Sequence, residues 1–171
     1  CSRGLVMGKG MICSRQDDFK AFYEKVVEAD GVLFVDPIFE SGATGLYHSI
    51  TDRMGPGHDT GMMMMLDGKL KEAGKEGLNP RYFRQKAISF VGIGGSDWAV
   101  RCETDHAMFA LSPGWKVVNN EFFSWCKDVI MQDDKVERMK EIGRNLADAA
   151  QQIIDEDMQV EGSEKTSLWK G

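Results

Sequence analysis

The chain predicts an α/β fold, a layered parallel sheet with helices on both faces. Three observations carry this. Gly31-Val32-Leu33-Phe34-Val35 is short and continuously apolar, as suits a parallel strand covered on both sides. Ala87 to Ile93 is a second run of the same kind. Segments with apolar residues at helical spacing alternate with these runs, which is the pattern of a sheet sandwiched between helices. Ligands of open parallel sheets sit at the carboxyl ends of the strands. The loops that follow the two apolar runs are therefore where chemistry is expected.

The elements follow in order. Residues 1 to 13 read as mostly loop. Asp17 and Asp18 open a helix, because their carboxylates can cap free N–H groups at the positive end of the helix dipole. Phe19, Phe22, Val26 and Val27 form its apolar stripe, and Ala29-Asp30-Gly31 ends it. Gly45 to Arg53 reads as a second helix, stopped by Gly55-Pro56-Gly57. Met62 to Lys75 is a helix or an irregular flap, and Asn79-Pro80 is a turn. Trp98 to Leu111 is a helix closed by Ser112-Pro113-Gly114, and Trp115 to Val118 is a third short strand. Phe122 to Ile130 reads as strand and then loop. Asp133 or Asp134 caps a last helix with the stripe Val136, Met139, Ile142, Leu146, Ala149 and Ile153. This predicts one domain over residues 1–154 and a polar, acidic tail over 155–171, mobile or docking.

Composition narrows the function. The 171 residues suffice for one domain with a core, and 42% hydrophobic with 28% charged residues argues against disorder of the whole chain. The net charge of −6 lacks the basic face that nucleic acid requires. The longest apolar run, Gly61 to Leu66 with four methionines, is far too short to span a bilayer, so no membrane partner is expected. Cys1, Cys13, Cys102 and Cys126 are scattered without a C-x-x-C pair, which fits free thiols in a reducing cytoplasm.

Two loops stand out as ligand rims. In Asp36 to Thr44, Pro37 directs the exit from the strand, Ser41-Gly42 can turn backbone amides inward, and Phe39 can offer a stacking face to a flat heterocycle. In Gly92-Ile93-Gly94-Gly95-Ser96-Asp97, adjacent glycines permit close approach of a planar ligand. Each loop alone also reads as a plain strand-to-helix connection; their joint occurrence on successive parallel strands raises both odds. No G-x-x-x-x-G-K-[ST] loop and no G-x-G-x-x-G after a strand is present, which leaves triphosphatase and dinucleotide-fold readings unsupported. His48, His58 and His106 lack neighbouring His or Cys at metal spacing, so no metal site is expected. His58, in Gly55-Pro56-Gly57-His58-Asp59, is a weak catalytic candidate or an exposed loop residue. His48 and His106 read as helix-surface residues. Met62 to Met65 can line an apolar pocket, pack an interface or fill the core.

The residues also carry a resemblance. The run from Asp17-Asp18-Phe19 through Glu28-Ala29-Asp30-Gly31 and Pro37-Ile38-Phe39-Glu40-Ser41-Gly42-Ala43-Thr44-Gly45 to Asp52-Arg53 resembles the flavodoxin-like NADPH-dependent FMN reductases, which include the iron–sulfur flavoproteins. The Gly94-Gly95 turn and Arg144-Asn145-Leu146 agree with it, and the similarity extends to about Ala150. The resemblance implies a flavodoxin-like three-layer sandwich and bound FMN. It implies ring contacts from Pro37, Ile38, Phe39, Glu40, Ser41 and Gly42 on one side, and from Gly94, Gly95, Ser96 and Asp97 on the other. The implied activity is hydride transfer from NAD(P)H to flavin and electron delivery to an acceptor: a quinone, a nitro or azo compound, free flavin or a redox protein. A homodimer or homotetramer is implied in the same way. An electron carrier of the same fold, or a non-catalytic interaction domain, is the alternative.

Three departures from the family pattern are present. Asp36 stands where the family has Ser or Thr. Ser41-Gly42 reverses the usual Gly-Ser order, with Glu40 before it. The family's first strand and its Ser- and Arg-rich phosphate loop, where helix N-terminal amides hold the FMN phosphate, have no counterpart. The expectation is an N-terminally truncated chain that binds FMN poorly, with unpaired buried backbone groups costing roughly 1–3 kcal/mol each.

Overall fold

The structure is a computed structural model that describes residues 15, 17–58, 60–94, 100–111, 113–124 and 132–162, with backbone alone for 55–58, 60, 62, 100 and 158–162. The element order is α1 (Phe19–Glu28), β1 (Gly31–Pro37), α2 (Gly45–His58), α3 (Thr60–Glu72), a 3-10 turn (Pro80–Phe83), β2 (Ala87–Gly94), α4 (Val100–Leu111), β3 (Lys116–Ser124) and α5 (Asp133–Gly162). The described strands form one parallel sheet in the order β1-β2-β3. Gly31 to Pro37 pairs in step with Ala87 to Ile93, so the carboxyl ends of β1 and β2 finish side by side.

The period-2 alternation of strand side chains sets the layers. From β2, Ile88 and Phe90 pack with Tyr47 of α2 and Ala110 of α4, joined by Phe34 of β1. Phe19, Tyr23, Val26 and Val27 of α1 close the same side over Met54. On the opposite face, Ala87 meets Ala149 and Ile153 of α5, and Val91 meets Ile142. Lys86, just before β2, is buried and donates from Nζ to the carbonyls of Val27 and Ala29, capping the end of α1 from a distance.

Several elements differ from the sequence reading. On α1 the buried position is Tyr23, while Phe22 is partly exposed. Asp17 accepts the Phe19 N–H and binds Arg53; Asp18 stands at the cap position without a side-chain bond. The helix over Gly45–His58 runs through Gly55-Pro56-Gly57 instead of stopping there. Pro56 removes one helical donor, yet the fully buried Met54 anchors this turn in the core and overrides the local signal. Met62 to Lys75 is helical to Glu72, with Met63 buried and Met64 and Met65 turned outward. β3 continues to Ser124, well past Val118. Residue 155 falls inside α5, which extends to Gly162; Arg84 bridges Asp30 at 3.1 Å and Asp157 at 2.8 Å, holding that extension against the body.

β1 is not covered on both faces as its run of apolar residues predicts. Leu33 is 41% and Val35 50% exposed on the α5 side. The reason is the path of α5. Among the described residues α5 meets β1 at its start, where Leu146 and Ala150 approach Gly31.

Candidate strand-end site

The loop after β1 is held at three levels. The Ile38 N–H donates to the Ile93 carbonyl at 2.8 Å, which extends the sheet ladder one residue beyond the strand. Phe39 and Gly42 then exchange N–H···O bonds at 3.3 and 3.0 Å around a two-residue turn. Both central residues, Glu40 (φ 49°) and Ser41 (φ 65°), lie in the left-handed region. This is the geometry of a type I′ turn, which normally recruits Asn and Gly. Here the glycine sits one place late, so two L-residues bear a strained backbone of the sort that collects at ligand-binding loops. The first turn of α4 braces it: the Cys102 N–H donates to the Ser41 carbonyl at 3.2 Å.

Asp36 closes the base of the loop. One carboxylate oxygen accepts the Thr44 N–H at 2.9 Å and the other accepts the Thr44 hydroxyl at 2.7 Å. The Thr44 hydroxyl oxygen in turn accepts the Tyr47 N–H at 3.1 Å, starting α2. The Asp36 charge is therefore turned into the protein, with the residue 6% exposed, rather than out toward the rim. Phe39 is its opposite, 68% exposed at the tip.

Behind Asp36 lies a buried polar cluster that sequence reasoning missed. Cys102 and His106, one turn apart on α4, place Sγ 3.4 Å from Nε2. His106 is buried, not on the helix surface as its polarity suggests, because it stacks on Phe90 (4.6 Å between centroids, 10° between planes). The Asn120 amide donates to the Glu103 carbonyl at 2.8 Å and turns its oxygen toward His106 Nδ1 at 3.4 Å. An amide oxygen only accepts, so this contact favours the tautomer with its proton on Nδ1, and the thiol lies beside both ring nitrogens, 3.8 Å from Nδ1 and 3.4 Å from Nε2. Burial, aided by the charges of Asp36 and Asp105, pushes the Cys102 thiol up to about 12, so it is no nucleophile. Burial also holds His106 below its ordinary value. Asp36, Cys102 and His106 offer donor atoms that all lie within 4.8 Å of one another. The Cys-x-x-x-His spacing on a helix was the available signal; Asp36 joins it only through the fold. His48, partly exposed, faces Asp105 at 3.7 Å.

The second rim begins at Gly94. A Cβ there would stand 3.2 Å from Ile38 Cβ, so the tips of β1 and β2 are in direct contact. A Cβ on Gly92 would meet Ile38 Cδ1 at 2.9 Å and Phe122 at 3.2 Å. On this face the two glycines admit Ile38 and Phe122 of their own chain. Gly95, Ser96 and Asp97 lie outside the described residues, as does the side chain of His58. The exposed Arg101, not foreseen, lies over the turn with its side chain 3.5 Å from where a Gly42 Cβ would stand. An apolar groove of about 510 Å³ between α1 and α2, bordered by Phe19, Phe22, Leu46 and Ile50, is separate from the strand ends.

Parallel strands, helices on both faces and a braced loop where adjacent strands end define an α/β protein of the doubly wound class. The family model described as NADPH-dependent FMN reductase matches residues 3–129. A solved structure of a flavone reductase is 45% identical with a TM-score of 0.76, over 84% of this chain and 50% of that chain. A second, titled as an NADH:FMN oxidoreductase in its apo form, is 18% identical with a TM-score of 0.46, over 90% of this chain and 65% of that one. No curated protein sequence matches. The chain belongs to the NADPH-dependent FMN reductase family and has its flavodoxin-like fold. It spans half the length of the flavone reductase it resembles.

Proposed function

We propose that this chain forms part of an FMN-dependent NAD(P)H oxidoreductase, with the flavin ring held at the ends of β1 and β2. One observation carries the reading: the tips of two paired parallel strands touch at Ile38 and Gly94, and the loop above them presents an exposed Phe39. Family membership supports it.

The residues fit a flat ring. Pro37 and Ile38 continue the sheet edge, the Phe39–Gly42 turn offers an aromatic face and a fixed backbone, and Gly94 begins the opposite border. Glu40, Ser41 and Gly42 take part through the main chain of the turn, and Gly95, Ser96 and Asp97 would complete the second rim. When bound, FMN supplies hydride acceptance from a nicotinamide and electron delivery to an acceptor. The protein holds and orients. Asp36 fixes the loop through Thr44, and Arg101 adds a positive charge beside the turn. The acceptor is a small molecule or a redox protein. We further propose a cytoplasmic homodimer or homotetramer; among the described residues no helix is long and apolar enough to cross a membrane.

Purified chain titrated with FMN should quench flavin fluorescence, and anaerobic mixing with NADPH should bleach the flavin band. Bleaching supports the oxidoreductase. Flavin binding without bleaching favours an electron carrier, and no binding at any concentration overturns the site.

A further inference from the structure

We propose that Asp36, Cys102 and His106 form a binding site for a soft divalent cation of the zinc class, buried beneath the strand-end loop. The donors are one carboxylate, one thiol and one imidazole, a set that zinc takes in four-coordinate sites. The donor atoms lie within 4.8 Å of one another, and the Sγ to Nε2 separation is 3.4 Å. A tetrahedral ion with ordinary Zn–S and Zn–N bonds needs about 3.5 Å between these two atoms.

The Asn120 oxygen lies 3.4 Å from His106 Nδ1, and both ring nitrogens lie near Cys102 Sγ, Nε2 at 3.4 Å and Nδ1 at 3.8 Å, so the imidazole turns about its Cβ–Cγ bond to aim Nε2 at an ion. Thr44 fixes the carboxylate of Asp36 from its backbone and its hydroxyl, which leaves further lone pairs for an ion. Such outer partners are the usual companions of protein metal ligands. Cys102 and His106 ride on a helix and Asp36 lies near the end of a strand, so rigid elements carry the site.

Charge favours the ion. Asp36 is buried, and among the described residues no cationic side chain pairs with it. On binding, the Cys102 S–H bond breaks, an S–metal bond forms and the proton leaves to solvent. One carboxylate, one thiolate and one divalent ion then sum to a neutral buried centre. No oxidant or reductant is involved. The ion would join the end of β1 to α4 and lock the base of the loop, independently of whether flavin occupies its tip.

The test uses the full chain, stripped by a chelator and titrated with Co²⁺. Spectra are read as metal-added minus metal-free, so that bound flavin cancels. The expected result is a thiolate-to-cobalt charge-transfer band with intense visible bands of a four-coordinate ion, saturating at one equivalent and displaced by Zn²⁺. C102S should lose the charge-transfer band, while a variant with Cys1, Cys13 and Cys126 all changed to serine should keep it. N120A, which leaves all three donors in place, should weaken binding about 10- to 100-fold. Circular dichroism confirms the fold of each variant. A folded wild-type chain without the bands, or a folded C102S that retains them, overturns the proposal. Neither outcome touches the flavin reading, which is scored by fluorescence.

Discussion

Replacing Ser41 by glycine should stabilise this protein. Ser41 sits at φ 65° beside Glu40 at φ 49°. An L-residue in the left-handed region costs roughly 1–2 kcal/mol through the contact of its Cβ with the following carbonyl. Glycine removes that cost but loosens the unfolded chain by about 0.4–1 kcal/mol. The bonds that hold the turn, from the Cys102 N–H to the Ser41 carbonyl and between Phe39 and Gly42, use main-chain atoms and survive the change. The net gain is about 0.5–1 kcal/mol, a rise in Tm of roughly 1–4 °C for a domain of this size. The double variant E40N/S41G installs the preferred pair for this turn and should gain more. S41V, with a branched Cβ at the same φ, should move Tm the other way. Thermal unfolding by circular dichroism measures all three. If S41G melts at or below the wild-type temperature, the strain argument is wrong and the turn is relaxed by something else.

Other expectations follow from single contacts. F39A should leave Tm unchanged, because the ring is 68% exposed, but weaken FMN binding about tenfold if it stacks on the flavin; fluorescence titration reads this, and undiminished affinity would remove Phe39 from the site. G92A should cost about 1–3 kcal/mol, since its Cβ meets Ile38 and Phe122; urea unfolding of G92A/I38A should recover part of that loss, and strictly additive effects would refute the contact. Burial lowers Lys86 from 10.5 to about 8 in the folded chain. The unfolded chain then binds one more proton than the folded chain between these values, so wild-type stability relative to K86M should rise with pH through that window. A difference that stays flat from pH 7 to 10 would show that Lys86 is not depressed.

The layered order was legible because strand and helix periods differ: Ala87 to Ile93 reads as a buried strand and the Val136 to Ile153 stripe as a one-sided helix from spacing alone. The stop at Gly55-Pro56-Gly57 was misread because a buried Met54 outweighs a local breaker. His106 was misread because polarity says nothing about a phenyl ring waiting to stack on it.

What the residues alone determined is thus the alternation of strands and helices, since it depends on local pattern and chain order. The tertiary structure alone decided that Asp36 turns inward to Thr44, that Ile38 and Phe122 fill the space beside the glycines, and that Asp36 meets Cys102 and His106. Those contacts join residues far apart in the chain, and burial, not spacing, sets their charge and orientation.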